Sequence, residues 1–396
     1  MNLKTRLLKF KTLYFLVGLY FHIPILSFYL IQNGIELAHI LLAQVFYALG
    51  VILFEVPLGI FGDKHGHHKA VQIAFLLDTL CLFGLIFFPN LSYLYISYFI
   101  RGIAGAANSG SIETLIYNVE PKNFTKNLSQ CLSLAETGTI ISFFIAGLLL
   151  HLFDAKSYHM LLMLTTLAQG INLLISLKLK PSTHTSNKTK VINYKTIFQN
   201  SKQNIQSNPI LKKTLLIILC SLPVSHLLEI SYPIQMELAD VPNFFIGSAI
   251  SLSLILYILL MQHIPKLESY KLSKLTIIKN IIFASLIFLF ASTNNPILSL
   301  ISFVILFSIE DILSPIYKNK INQISTDENR ATTMSIFSFY EYIGKIIIRL
   351  SIGTIVMYSN NQTGLVSIGL YGILGASLIY LSLLKKTRKT TAKELT

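Results

Sequence analysis

Long apolar runs broken by short polar clusters organise this chain from end to end. A helix crossing a hydrocarbon layer needs roughly 20 mostly apolar residues, and runs of that length predict twelve spans. In the first half they cover 12–32, 38–62, 70–88, 91–118, 128–152 and 157–178. In the second half they cover 211–238, 243–264, 274–293, 295–318, 332–358 and 362–384. Backbone polar groups in lipid must be bonded internally, which leaves helical bundles or closed barrels, and the sequence lacks the alternating strands of a barrel. The expected fold class is an all-α integral membrane protein with twelve transmembrane helices in two six-helix halves.

The pattern changes only between Lys178 and Lys213, where "KLKPSTHTSNKTKVINYKTIFQNSKQNIQSNPILKK" turns polar. This predicts an N-terminal bundle over 1–178, a cytoplasmic linker over 179–210 and a C-terminal bundle over 211–396. Ile192, Ile197, Phe198 and Ile205 can form one side of a short interfacial helix, and a floppy connector is the alternative. The halves are weakly similar: "LIYNVEPKNFTKNLSQCLSLAETG" has a counterpart in "PIYKNKINQISTDENRATTMSIFSFYEYIG". Each places a Tyr at a helix end, a polar loop, a Ser in the next helix and a Glu ahead of a Gly, as internal repeats do in transporters.

Composition agrees with the pattern. The 396 residues are 53% hydrophobic and 13% charged, and the mean hydropathy of +0.62 lies outside the range of soluble domains. The net charge of +14 is a topology signal: 27 of the 32 Lys and Arg fall in the two terminal segments and the loops on one side, or at the span ends that border them. Loops rich in Lys and Arg stay cytoplasmic, so both termini are expected in the cytoplasm of a multi-pass inner-membrane protein. These charges suit anionic lipid; nucleic-acid binding would need them gathered on one soluble face. The N-terminal apolar run continues to Leu30 without a small-residue cleavage site and reads as a retained first span. Cys81, Cys131 and Cys220 lack metal-ligand spacing and read as small core residues.

The loop after the second span reads "GIFGDKHGHHK". Gly59, Asp63, Lys64 and Gly66 match the Gly-x-x-x-Asp-(Arg/Lys)-x-Gly-(Arg/Lys)-(Arg/Lys) pattern, with His67 and His68 in the last two basic positions. With twelve spans, the chain resembles a member of the major facilitator superfamily over essentially its full length. The resemblance implies that fold's two pseudo-symmetric bundles and a latch at the cytoplasmic rim. Gly59 and Gly66 would permit close helix approach and a tight turn, and Asp63 would meet the eleventh span near Ala331. A metal site at His65, His67 and His68 is the rival reading, but adjacent residues rarely converge on one ion; no metal and no cofactor are expected. A second resemblance lies in "YFIRGIAGAANSG", where Arg101, Gly105, Ala106 and Ala107 follow the Arg-x-x-x-Gly-x-small pattern of proton-coupled members. The fifth span, "ETGTIISFFIAG", departs from the drug-antiporter branch by lacking its Gly-Pro pair.

Charges inside spans are costly and mark internal sites. Glu55, Glu113 and Glu136 fall near cytoplasmic helix ends and read as gate residues; Asp78, near mid-span, is a better coupling candidate, as is Arg101 with a carboxylate partner. In the second half Glu229, Glu310 and Asp311 are acidic, and Glu341, Lys345 and Arg349 share one helical stripe, able to pair in sequence and to meet Glu310 or Asp311. His22 and His226 occupy comparable depths and titrate near neutral pH when unperturbed. Surplus acid favours proton coupling and tolerates a cationic substrate. The expected function is proton-coupled export of a small organic solute, a drug, metabolite or siderophore-like chelate, by alternating access; proton-coupled or facilitated uptake is the alternative. No nucleophile or metal motif of an enzyme is present, and the expected partners of this monomer are its small-molecule substrate, protons and membrane lipids.

Overall fold

The computed structural model describes residues 3–179, 209–220, 224–267, 269–317, 319 and 330–394; the linker and most of the polar loop before the eleventh span lie outside these. Every regular element among the described residues is helical. The first half contains α1 (Leu3–Val17), α2 (Leu26–Gln32), α3 (Leu37–His65), α4 (His67–Phe87), α5 (Leu91–Asn108), α6 (Ser111–Val119), α7 (Phe124–Phe153) and α8 (Ser157–Ser176). The second contains α9 (Pro209–Cys220), α10 (Ser225–Leu238), α11 (Asn243–Met261), α12 (Leu272–Ser292), α13 (Pro296–Ile309), α14 (Arg330–Tyr358) and α15 (Asn361–Glu394).

Among the described residues, seven segments are long and apolar enough to cross a membrane, and one of them, Lys126–Ser176, holds most of α7 and all of α8. The passes that fall short are those built in two pieces, α1 with α2, α5 with α6 and α9 with α10, together with the charged α14. Between α1 and α2 the chain leaves the α-helix at Gly18 and re-enters through the 3-10 turn Ile23–Ile25. Between α5 and α6 it breaks at Ser109 and Gly110, the latter at φ +70°. After α13 it runs as turns over residues 310–313. Broken helices persist in membranes where the freed backbone is buried in protein or lines a cavity. The two halves also start their fourth and tenth passes alike: Asn90 accepts the Tyr93 N–H at α5, and Asn295 accepts the Ile297 and Leu298 N–H groups at α13, satisfying donors that a helix start leaves open.

The core explains how the halves sit together. At the face carrying the α3–α4 loop and the ends of the linker, hereafter the basic face, each half packs its own apolar cluster. Phe10, Leu13, Phe75 and Ile116 belong to one and Leu211, Ile218, Ile316 and Phe337 to the other. Towards the opposite face a single cluster spans both halves, taking in Tyr29, Phe143 and Leu161 with Tyr232, Ile246 and Ile352. Hydrogen bonds cross the same seam: Ser27 Oγ to the Ile230 carbonyl at 2.6 Å, Ser251 Oγ to the Ile140 carbonyl at 2.8 Å and Asn243 Nδ2 to Asp154 Oδ1 at 2.7 Å. Gly147 of α7 and Gly247 of α11 lie backbone to backbone there, with no room for a Cβ on either, the close approach that small residues allow between membrane helices. The bundles are joined at the opposite face and separate at the basic face.

Candidate functional site

A cavity of about 340 Å³ lies between the bundles below that seam. The first bundle contributes Tyr20 and His22 from the break after α1, Tyr47 from α3, Tyr98 and Arg101 from α5, and Glu136 from α7. The second contributes His226 and Glu229 from α10, with Ile250, Leu254 and Phe307 as an apolar wall. The two-piece passes thus supply most of its polar lining.

Asp78 and Arg101, chosen separately from the sequence, form one pair: Arg101 Nε donates to Asp78 Oδ1 at 2.8 Å, each side chain 20% exposed. The Arg101 guanidinium also lies 5.9 Å from the centre of the Tyr98 ring, within cation–π range. His22 is buried, with Nδ1 3.3 Å from Thr165 Oγ1 and its backbone N–H donating to the same oxygen. His226 Nδ1 lies 2.9 Å from Glu229 Oε2, one helical turn on. Glu136, expected at a helix end near the rim, stands on the cavity wall instead, exposed to it. It starts the fourth turn of α7, and span ends judged from hydropathy alone placed it too near the surface.

The stripe on the eleventh span behaves differently from expectation. Glu341 and Lys345 do pair, at 2.7 Å. Arg349 turns away from them and, almost fully buried, donates to the Gln44 carbonyl of α3 at 2.9 Å. α14 packs on α3 of the other bundle and on α15, so this row serves the seam between bundles. At Glu310 the structure shows a contact with α12, where Lys279 Nζ donates to the Glu310 backbone carbonyl at 3.0 Å. Asp311 adds negative charge beside the same lysine. Lys279 and Glu310 border a small void separate from the central cavity.

In the loop, Gly66 has φ +99°, a conformation that only glycine adopts without strain, so the tight turn is present. Gly59 is not at a close approach: a Cβ there would meet nothing. Gly62 holds that position, its Cα face against the His67 ring, a residue the motif does not single out. Lys64 is exposed and the Asp63 side chain lies outside the described residues. The three histidines diverge: His65 stacks on Phe61, His67 Nδ1 is 3.3 Å from Ser111 Oγ, and His68 Nδ1 is buried without a hydrogen-bond partner among the described residues. Glu113 lies in the first turn of α6, one oxygen buried without a hydrogen bond among the described residues. Cys81, Cys131 and Cys220 are free and buried. Sequence reasoning missed Tyr20, Tyr47 and Tyr98; aromatic residues in an apolar span carry no signal separating a cavity wall from a core.

The Major Facilitator Superfamily family model matches residues 12–349. The chain belongs to the Major Facilitator Superfamily. It is accordingly a multi-pass membrane transporter of small solutes, built on that superfamily's fold. Among solved structures, a mutant of the nucleoside transporter NupG is similar with a TM-score of 0.80 at 16% identity, covering 96% of this chain and 99% of that one. The inward-open xylose transporter XylE from E. coli is similar with a TM-score of 0.69 at 13% identity, covering 96% of each chain. These likenesses are of fold alone. An uncharacterized MFS-type transporter of Bacillus subtilis (strain 168), YfkF, is 32% identical over 76 residues, a match spanning 19% of this chain and 19% of that relative.

Proposed function

We propose that this superfamily member exports a small organic solute across the inner membrane in exchange for protons, by alternating access through the central cavity. The observation that carries the reading is the arrangement of apolar cores: one shared core towards the opposite face and two separate ones at the basic face, with a charged cavity between. Basic loops are retained in the cytoplasm, so the cavity faces inward, the state from which an exporter loads. The Asp63 and Lys64 loop and the start of α14 then act as the latch when the inner side closes, and Glu113 belongs to that inner gate. The coupled proton is carried by a carboxylate of the membrane interior, with Glu136 and Glu229 in the cavity and Asp78, Glu310, Asp311 and Glu341 around it.

Inside-out vesicles with an acidified lumen test the direction and the coupling together. Exported solutes should discharge the gradient on addition, and Asp63→Asn should slow the discharge without reducing membrane insertion. Uptake of labelled solute by right-side-out cells, with no discharge in inside-out vesicles, would establish import instead.

A further inference from the structure

The charges around the cavity have a definite balance. Arg101 is matched by Asp78 at 2.8 Å in the wall. That leaves Glu136 and Glu229 as the carboxylates lining the cavity, one from each bundle, with His226 beside Glu229. Glu136 has no ion pair and no side-chain hydrogen bond among the described residues. With His226 neutral the lining carries two negative charges, one of which the buried Arg349 near Glu229 offsets, so the set carries one net negative charge. A carboxylate inside the membrane is stabilised by a proton or a cation close by.

We propose that the cavity binds a small organic monocation with a flat apolar body, its ammonium group held by Glu136 and Glu229. This rests on the transporter reading above. The rest of the lining suits the body of such a molecule: the rings of Tyr47 and Phe307 and the side chains of Ile250 and Leu254 offer an apolar, π-rich surface that favours cations and flat rings. The volume of about 340 Å³ is at the small end of ligand sites. A carboxylate-bearing ligand would have to displace Asp78 from Arg101 and face two glutamates. Because the two carboxylates come from different bundles, an ammonium between them joins the bundles at the cavity. Proton and cation then compete for the same groups: binding the cation expels a proton, and protonation releases the cation, which is the stoichiometric logic of exchange. No covalent step is involved.

The test uses the full-length protein purified in detergent and four probes of similar shape: phenethylamine, phenylalanine, phenylpropionate and phenylethanol. Phenethylamine should bind at least about tenfold more tightly than the other three, as one charge-assisted hydrogen bond implies. Its affinity should fall as the pH is lowered, and it should drop about tenfold in Glu136→Gln and in Glu229→Gln. These variants keep the side-chain shape, and their unfolding temperatures verify that they are folded. Equal or tighter binding of the zwitterion, the acid or the alcohol overturns the proposal, as does binding of none of the four or undiminished affinity in the double variant. The transporter reading is judged separately, from thiol accessibility of Asn243→Cys in vesicles. A solute-dependent change there with no preference for the amine sinks the cation proposal alone, whereas amine binding with a thiol that never changes accessibility sinks the transport reading and leaves the ligand class standing.

Discussion

Each bundle of this transporter places one acid–base pair between corresponding helices, and the two pairs are built in opposite senses. In the first bundle the acid, Asp78, sits on the third pass and the base, Arg101, on the fourth; in the second the base, Lys279, sits on the ninth and donates to the Glu310 backbone carbonyl on the tenth, with the negative charges of Glu310 and Asp311 beside it. The first pair borders the central cavity and each partner keeps a fifth of its side-chain surface exposed. The second is sealed away, with Lys279 9% and Glu310 5% exposed. A charge that water can reach can change partner or protonation during a cycle at modest cost, whereas a sealed charge is held by desolvation to the partner it has. On the exchange reading proposed above, conformational and coupling work falls to the first pair and integrity of the fold to the second.

The largest effect is expected from breaking the sealed pair. Lys279→Met should lower stability by about 3–5 kcal/mol, the usual cost of leaving a buried charge uncompensated, seen as a lower unfolding temperature in detergent. Adding Glu310→Gln should recover part of that loss. Next comes the open pair: Arg101→Gln or Asp78→Asn should reduce transport about tenfold or more while changing stability by no more than about 1 kcal/mol. Stable but inactive Lys279 variants together with unfolded Arg101 variants would reverse the assignment.

The seam between bundles sharpens the comparison, because it must open if the halves move as separate bodies. Gly247→Leu inserts a side chain where Gly147 leaves no space, at an overpacking cost of about 1–3 kcal/mol. Spin labels at Lys156→Cys and Asp240→Cys should then report a longer separation across the opposite face; an unchanged distance would show that the close approach is not part of the moving seam.

The smallest effect concerns Glu120, for which the second half has Lys320 at the corresponding sequence position. Hydrogen bonds from the Asn123 and Asn127 amides to its carboxylate hold its pKa below the ordinary glutamate value of 4.5. A depressed carboxylate stabilises the folded state above its unfolded pKa and loses that contribution as the pH falls through the folded value. Wild type should therefore lose a little more stability than Glu120→Gln as the pH is lowered through and below 4.5, and parallel pH profiles would remove these hydrogen bonds from the account.

Much of the fold was legible without coordinates. Apolar run lengths mark the passes, whereas the caps at Asn90 and Asn295 that begin the fourth and tenth passes emerged only from the structure. The Gly66 turn follows from the motif and adopts the positive φ that its glycine suits. The candidate site was legible only as a set of suspicious charges. Asp78 and Arg101 were both singled out and prove to be partners, whereas the hold of Lys279 on the Glu310 backbone carbonyl was not foreseen. Glu136 was set at the rim and lines the cavity, and Gly59 was credited with a close approach that Gly62 makes.

Those differences have one physical cause. In water, an amphipathic stripe tells which face of a helix is buried, but lipid tails are as apolar as a protein core, so Leu53, Leu80 and Leu174 face outward as readily as Leu30 and Leu94 face inward. Hydrophobicity and charge along the chain therefore determined that this protein crosses a membrane many times, in two related halves, and which side its basic loops favour. Which helix faces which neighbour was decided only when the passes packed. Small residues such as Gly147 and Gly247 let two backbones meet at the seam, the broken passes turned their polar groups inward, and Glu136 and Glu229, 93 residues apart in the chain, came to share one cavity.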